Sequence, residues 1–230
     1  MTRRSPSSPD RRTPHPSTPR EKDLRKAESL LARRVVERDQ LFEEARTVRR
    51  ASQDAMRRLH AGEDPSRELR RLAPRAQRLQ RGGHAVDTLV LDALQEYAEA
   101  RLLEAVVNDE PLPSSDELQV PVEAYLAGLG DLVGEVRRLT VAALGDERLA
   151  EAEGLLGLMD ALLHALLRFE APRGIIALKP KQDVARLLVE RSRGELALAK
   201  VLRRAARAAG AQEQRLVSEG LKATEGLDGP

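Results

Sequence analysis

Four carboxylates fall in two short runs of an otherwise apolar stretch. Glu96 and Glu99 lie in Leu94-Gln95-Glu96-Tyr97-Ala98-Glu99, spaced i,i+3. Asp131 and Glu135 lie in Gly130-Asp131-Leu132-Val133-Gly134-Glu135, spaced i,i+4. On an α-helix both spacings put the two side chains on one face, about one turn apart. Two such faces turned toward each other make a cradle of hard oxygen ligands suited to Mg²⁺ or Mn²⁺. A divalent ion held there polarises a phosphoryl oxygen and lowers the pKa of a water nucleophile, which is the chemistry of phosphodiester hydrolysis. Without a cation the packed carboxylates repel, and some must keep their protons. The competing reading is a solvated helix surface with routine ion pairs, for example Glu135 with Arg138.

The elements that must position these acids are helices. The chain has 230 residues, 41% apolar, 33% charged and only 2% aromatic. Ala, Leu, Glu and Arg dominate, a helical composition whose core must be built from Leu, Val and Ala. There is no Cys, which excludes disulfides, thiol catalysis and Cys-ligated zinc. The first twenty residues hold Arg, Ser and Pro but no apolar leader segment. The longest apolar run, Gly154 to Leu167, is broken by Asp160 and His164 and is too short to span a bilayer. A cytoplasmic, membrane-free protein is expected.

Residues 1–19 are Pro/Ser/Arg-rich and read as a disordered basic tail (Arg3, Arg4, Arg11, Arg12), with Arg20 at its end. Residues 20–209 read as one helical domain, and 210–230 as a flexible C-terminal tail. A first helix is expected from Glu21 to about Ala61, with Leu24, Leu31, Val35, Leu41, Phe42, Ala45, Val48, Ala55, Met56 and Leu59 along its apolar stripe. Gly62 stops it. Asp64-Pro65 offers an N-cap and first position for a second helix to about Arg81, with Pro74 as a kink. Gly82-Gly83 is a turn. The third helix, His84 to Val107, carries the first acidic pair. A loop from Asn108 to Gln119 includes a short turn starting at Ser115. The fourth helix, Val122 to Leu144, carries the second pair; Gly145-Asp146 would end it and cap a fifth, which runs to about Phe169. A sixth spans Lys179 to Ala209. No strand pattern is present. Gly128 and Gly134, each costing ~1 kcal/mol of helix propensity, point to close helix approach.

The net charge is only +2, but arginine crowds the N-terminal half. Arg46, Arg49, Arg50 and Arg57 are the candidate phosphate contacts, and such binding would be electrostatic and salt-sensitive. The alternative is that they pair with Glu43, Glu44 and Asp54. Phe42, Tyr97, Tyr125 and Phe169 are all expected in the core, leaving little aromatic surface for stacking bases. His60, His84 and His164 have no partner at metal-site or triad spacing. Ser115 and Ser192 lack a nucleophile context. No GxxxxGK[ST] loop is present.

Three segments resemble the translin/TRAX family of single-stranded nucleic-acid-binding proteins. Leu94 to Ala100 is similar to the catalytic-helix motif of TRAX-type members. Val120 to Glu135 is similar to the second acidic motif. Leu178 to Arg186 and Arg191 to Leu196 resemble the C-terminal helix. The likeness spans roughly Arg38 to Leu198 and is nearest to stand-alone prokaryotic TRAX-like proteins. It implies an all-α fold of about six or seven helices. It further implies a closed homo-oligomer, often an octamer, with RNA on its inner surface. TRAX-type members act as metal-dependent endoribonucleases on single-stranded RNA. Carried over, the catalytic and metal-holding positions are Glu96, Glu99, Asp131 and Glu135, with Mg²⁺ or Mn²⁺ as cofactor. Translin subunits bind without this full acidic set. The alternative is therefore a non-catalytic binder of single-stranded RNA or DNA on the same fold. A purely structural helical oligomer would show neither activity.

Overall fold

The computed structural model describes residues 19–82, 88–172 and 175–225. Expectations for the basic tail through residue 18, for Gly83 and for the start of the third helix at His84 lie outside the described residues. The described elements are all helical: α1 (Glu21–His60), α2 (Ser66–Gly82), α3 (Thr88–Val107), α4 (Ser115–Leu118), α5 (Val122–Gly145), α6 (Leu149–Leu166) and α7 (Leu178–Glu225). The all-α class is as expected. Among the described residues no helix is long and apolar enough to cross a membrane.

Helix ends follow from local chemistry. Asp64 Oδ1 accepts from the Ser66 N–H at 2.9 Å, which caps α2 as its sequence predicts. Helix α2 continues through Pro74. Ser114 and Glu117 form a reciprocal capping box on α4. The end of α5 differs from expectation. Gly145 is still helical, and the chain reverses at Glu147 with φ 57°. The Arg148 N–H reaches Ala143 O at 2.8 Å and the Glu147 N–H reaches Leu144 O at 3.1 Å, so a non-glycine residue holds the left-handed position. Helix α7 runs past Ala209 to Glu225. The alanines around Gly210 supply enough helix propensity to carry one glycine.

The chain divides into two units, Met1–Gln40 and Leu41–Pro230. In the first, every described residue is exposed, including Leu24, Leu31 and Val35 of the expected stripe. In the second, α5 is the central helix and packs on α3, α6 and α7; α6 also packs on α7, and α2 on α3. Ala45, Val48, Ala55, Met56 and Leu59 of α1 enter the same core. Leu69, Leu79, Leu94, Leu102, Leu132 and Leu166 are fully buried, each contributing roughly 2 kcal/mol of transfer free energy. Of the four aromatics, Tyr97 is fully buried at 1% exposure, whereas Phe169, expected in the core, lies beyond the end of α6 and is 43% exposed.

One contact sets the spacing of the site. A Cβ on Gly128 would lie 3.0 Å from Gln95 O and 3.1 Å from the Glu99 N. These are backbone atoms of α3, which can yield only if the two helices move apart by a few tenths of an ångström. The missing side chain therefore lets α5 touch the α3 backbone at the very turn that carries Glu99.

Candidate functional site

Helix α3 supplies Glu96 and Glu99, and α5 supplies Asp131 and Glu135. Because the two helices meet at Gly128, their acidic faces are opposed. Glu99 lies at the centre. It is 7% exposed and makes no hydrogen bond or ion pair with any described residue. Burial pushes its pKa up to about 9, reinforced by the charges of Asp131, Glu135 and Glu96 and partly offset by Lys181. At neutral pH, with no other cation, the Glu99 carboxyl holds its proton.

The three outer acids each have partners. The Lys181 ammonium donates to both Asp131 oxygens at 2.6 and 2.7 Å, and Gln95 Nε2 donates to Asp131 Oδ2 at 2.5 Å. Gln53 Nε2 donates to Glu96 Oε1 at 2.9 Å, with Arg49 Nε at 3.4 Å from the same oxygen. Glu135 is hydrogen-bonded to His60 Nε2, whose side chain is 8% exposed. The four acids thus share one electrostatic neighbourhood. Among the described residues, however, no three His or carboxylate side chains converge on one metal position. The donor types fit Mg²⁺ or Mn²⁺, since the set is oxygen-rich and its buried member lacks a cation. Binding such an ion requires the outer carboxylates to turn away from their present partners.

No family model matches the chain. It is 34% identical over 103 residues to an uncharacterized protein of Methanocaldococcus jannaschii, a match covering 44% of this chain and 46% of that protein. The chain therefore spans about half the length of this curated relative. Solved structures extend the likeness. AfC3PO, and AfC3PO in complex with duplex RNA, both superpose with a TM-score of 0.71, at 28% and 27% identity. Each match covers 79% of this chain and 98% of the other. Apo-NeC3PO, at 19% identity and a TM-score of 0.69 over 80% of this chain and 99% of its own, shares the fold. C3PO is a translin/TRAX complex. The chain shares the fold of these translin/TRAX complexes and is similar to them in sequence.

In this translin/TRAX-like chain the four candidate arginines are engaged with acids. Arg46 and Arg50 reach Glu43 at 3.3 and 3.4 Å, and Arg57 reaches Asp54 at 2.9 Å. Arg49 points instead to Glu96, at the rim of the acidic cluster. Glu44 is held by Arg75 and Arg78, and the Arg75 hydrogen bond lowers its pKa. All four candidate guanidiniums remain well exposed, so exchanging a carboxylate for a phosphate costs little packing.

Sequence reasoning missed Gln95, Gln53, His60 and Lys181. Gln95 was findable, being one turn before Glu99 and so on the same face. Arg49, Gln53 and His60 follow at intervals of four and seven along α1, again one face. Lys181 carried no signal beyond its place in the Leu178-to-Arg186 segment. The glycines also divide differently from expectation. Gly134 has nothing nearer than Leu188 Cδ1 at 3.9 Å, an ordinary contact, so it is not a close-approach position. Gly130 is one: a Cβ there would meet Lys181 Cβ and Cδ, each at 3.0 Å.

Proposed function

We propose that this chain binds RNA and cuts single-stranded RNA as a metal-dependent endoribonuclease, on a closed homo-oligomer of the octameric kind. The observation that carries the reading is Glu99, a carboxyl buried among three others with no hydrogen bond of its own. A fold does not need such a group; a cation site does. RNA as the ligand class is supported by AfC3PO, which was solved with duplex RNA and is 27% identical over 98% of its length.

Glu96, Glu99, Asp131 and Glu135 would hold Mg²⁺ or Mn²⁺. Such an ion, when bound, supplies polarisation of the phosphoryl oxygen and a water of lowered pKa. The rest falls to the protein. Gln95 and Gln53 orient Asp131 and Glu96 through their amide N–H groups. Arg49, at the rim beside Glu96, is placed to hold a phosphate. Arg46, Arg50 and Arg57 would track the backbone along α1 without reading bases, because the chain presents little exposed aromatic surface for stacking.

A second reading, a non-catalytic binder of single-stranded RNA or DNA, is favoured by one observation: Asp131, Glu96 and Glu135 already have protein partners. One experiment separates the two. Labelled single-stranded RNA and a duplex of the same sequence are incubated with protein in Mg²⁺, Mn²⁺ or EDTA, beside Glu99→Gln. The nuclease reading expects metal-requiring cleavage of the single strand, reduced about 100-fold or more in the variant, with RNA binding retained. Salt-sensitive binding with no cleavage in either metal establishes the second reading. Absence of both sinks the pair.

A further inference from the structure

Lys181 stands in an unusual relation to the acidic cluster. Its ammonium contacts both Asp131 oxygens, at 2.6 and 2.7 Å, and the pair is mostly buried, with side chains 24% and 32% exposed. The contact is built from the backbone up. Lys181 lies across α5 where Gly130 has no side chain, with its Cβ and Cδ both 3.0 Å from the position a Cβ would take. A Cβ at 130 would require the lysine stem to give way by a few tenths of an ångström. A cation that engages both oxygens of a carboxylate takes up the lone pairs a divalent ion would use. Lys181 is also the cation that offsets the charge gathered around Glu99. Glu99, buried and without a hydrogen bond, is the independent sign that the cluster awaits a further cation.

We propose that Lys181 is a resident counter-cation that competes with a divalent metal ion for Asp131, so that metal uptake requires its ammonium to leave. This rests on the metal reading above and adds to it a built-in competitor. The competitor limits the repulsion in the metal-free state. Once displaced, its ammonium stays within one side-chain length of the site, because the stem is seated at Gly130. The anion it would then meet is an RNA phosphate.

The test is calorimetric titration of Mn²⁺ into the EDTA-stripped full chain, with thermal melts in parallel, for wild type, Lys181→Met and the charge-retaining Lys181→Arg. Lys181→Gln keeps a stem and a hydrogen-bond donor without the charge, and replaces the Met variant should that one not fold. Competition expects the neutral variants to bind Mn²⁺ at least about fivefold more tightly than wild type. It also expects them to melt lower without metal and to recover with it, while Lys181→Arg keeps wild-type affinity. Wild-type binding that the neutral variants leave unchanged or weaken overturns this inference alone. Absence of Mn²⁺ binding in wild type and every variant overturns the metal reading together with it.

Discussion

Two charged junctions join α5 to α7, and they are built on opposite terms. At one, Arg137 donates to both oxygens of Glu195 at 2.9 Å each, and to Ser192 Oγ at 2.7 Å. Donors match acceptors, and the Arg137 hydrogen bonds hold the Glu195 carboxyl below its ordinary pKa. About two turns earlier on α5, Asp131 takes Lys181, but the acids around it outnumber the cations that reach them. The first junction is self-sufficient and fixes how the helices cross. The second stores unfavourable charge that only a proton or an added cation relieves. Proteins of marginal stability keep such a cluster where it serves function.

The sharpest way to break this contrast is Glu99→Gln. The folded pKa of about 9 lies above the ordinary 4.5, so the folded chain keeps a proton that the unfolded chain releases. Stability from this group is therefore fully present below about pH 4.5 and declines as pH rises toward 9. At pH 7 the cost is about 3 kcal/mol, and Glu99→Gln should raise metal-free stability by that amount. The gain should nearly vanish at pH 4.5 in denaturant melts. An equal gain at both pH values would mean that Glu99 is not charge-frustrated.

Arg137→Met should do the reverse, costing about 2 kcal/mol by leaving Glu195 and Ser192 unpaired. Neither Mn²⁺ nor acid should restore it; recovery in metal would erase the distinction between the junctions. Gly128→Ala forces a Cβ against the α3 backbone and should cost about 2 kcal/mol. It should also part the two acidic faces, so that the Glu99 pKa, followed by carboxyl NMR, falls toward 4.5. Glu147→Gly lies far from either junction in sequence and relieves a left-handed backbone at φ 57°. It should add about 1 kcal/mol at every pH, a baseline against which pH-dependent gains are read.

Most of the helices were legible because Leu and Val recur at helical spacing and Asp64, Pro65 and Ser115 mark starts. The ends were less so. Glu147 rather than Gly145 takes the left-handed position that follows α5, since such a position leaves no trace when its occupant is not glycine. The stripe of α1 was read correctly as periodic, yet Leu24, Leu31 and Val35 are exposed while Ala45 and Val48 are buried. Periodicity names a face but not what covers it. The acidic site was legible as two faces. Their partners were not, because Lys181 is 50 residues from Asp131 and His60 is 75 from Glu135. The ion pairs of Arg46 and Arg57, three residues from Glu43 and Asp54, could be foreseen from spacing alone.

Tyr97 sits in the same turn of α3 as Glu96 and Glu99, and burial holds its phenol proton firmly. The chain has two tyrosines and no tryptophan. Excited to the red of the phenylalanine band, its ultraviolet emission therefore comes from Tyr97 and Tyr125, with no indole to mask it. Any shift of the seam beside the acids alters the surroundings of that one ring. The native protein thus carries an optical reporter a single residue from its candidate centre, and the arrival of an ion or an RNA strand could be watched without a label.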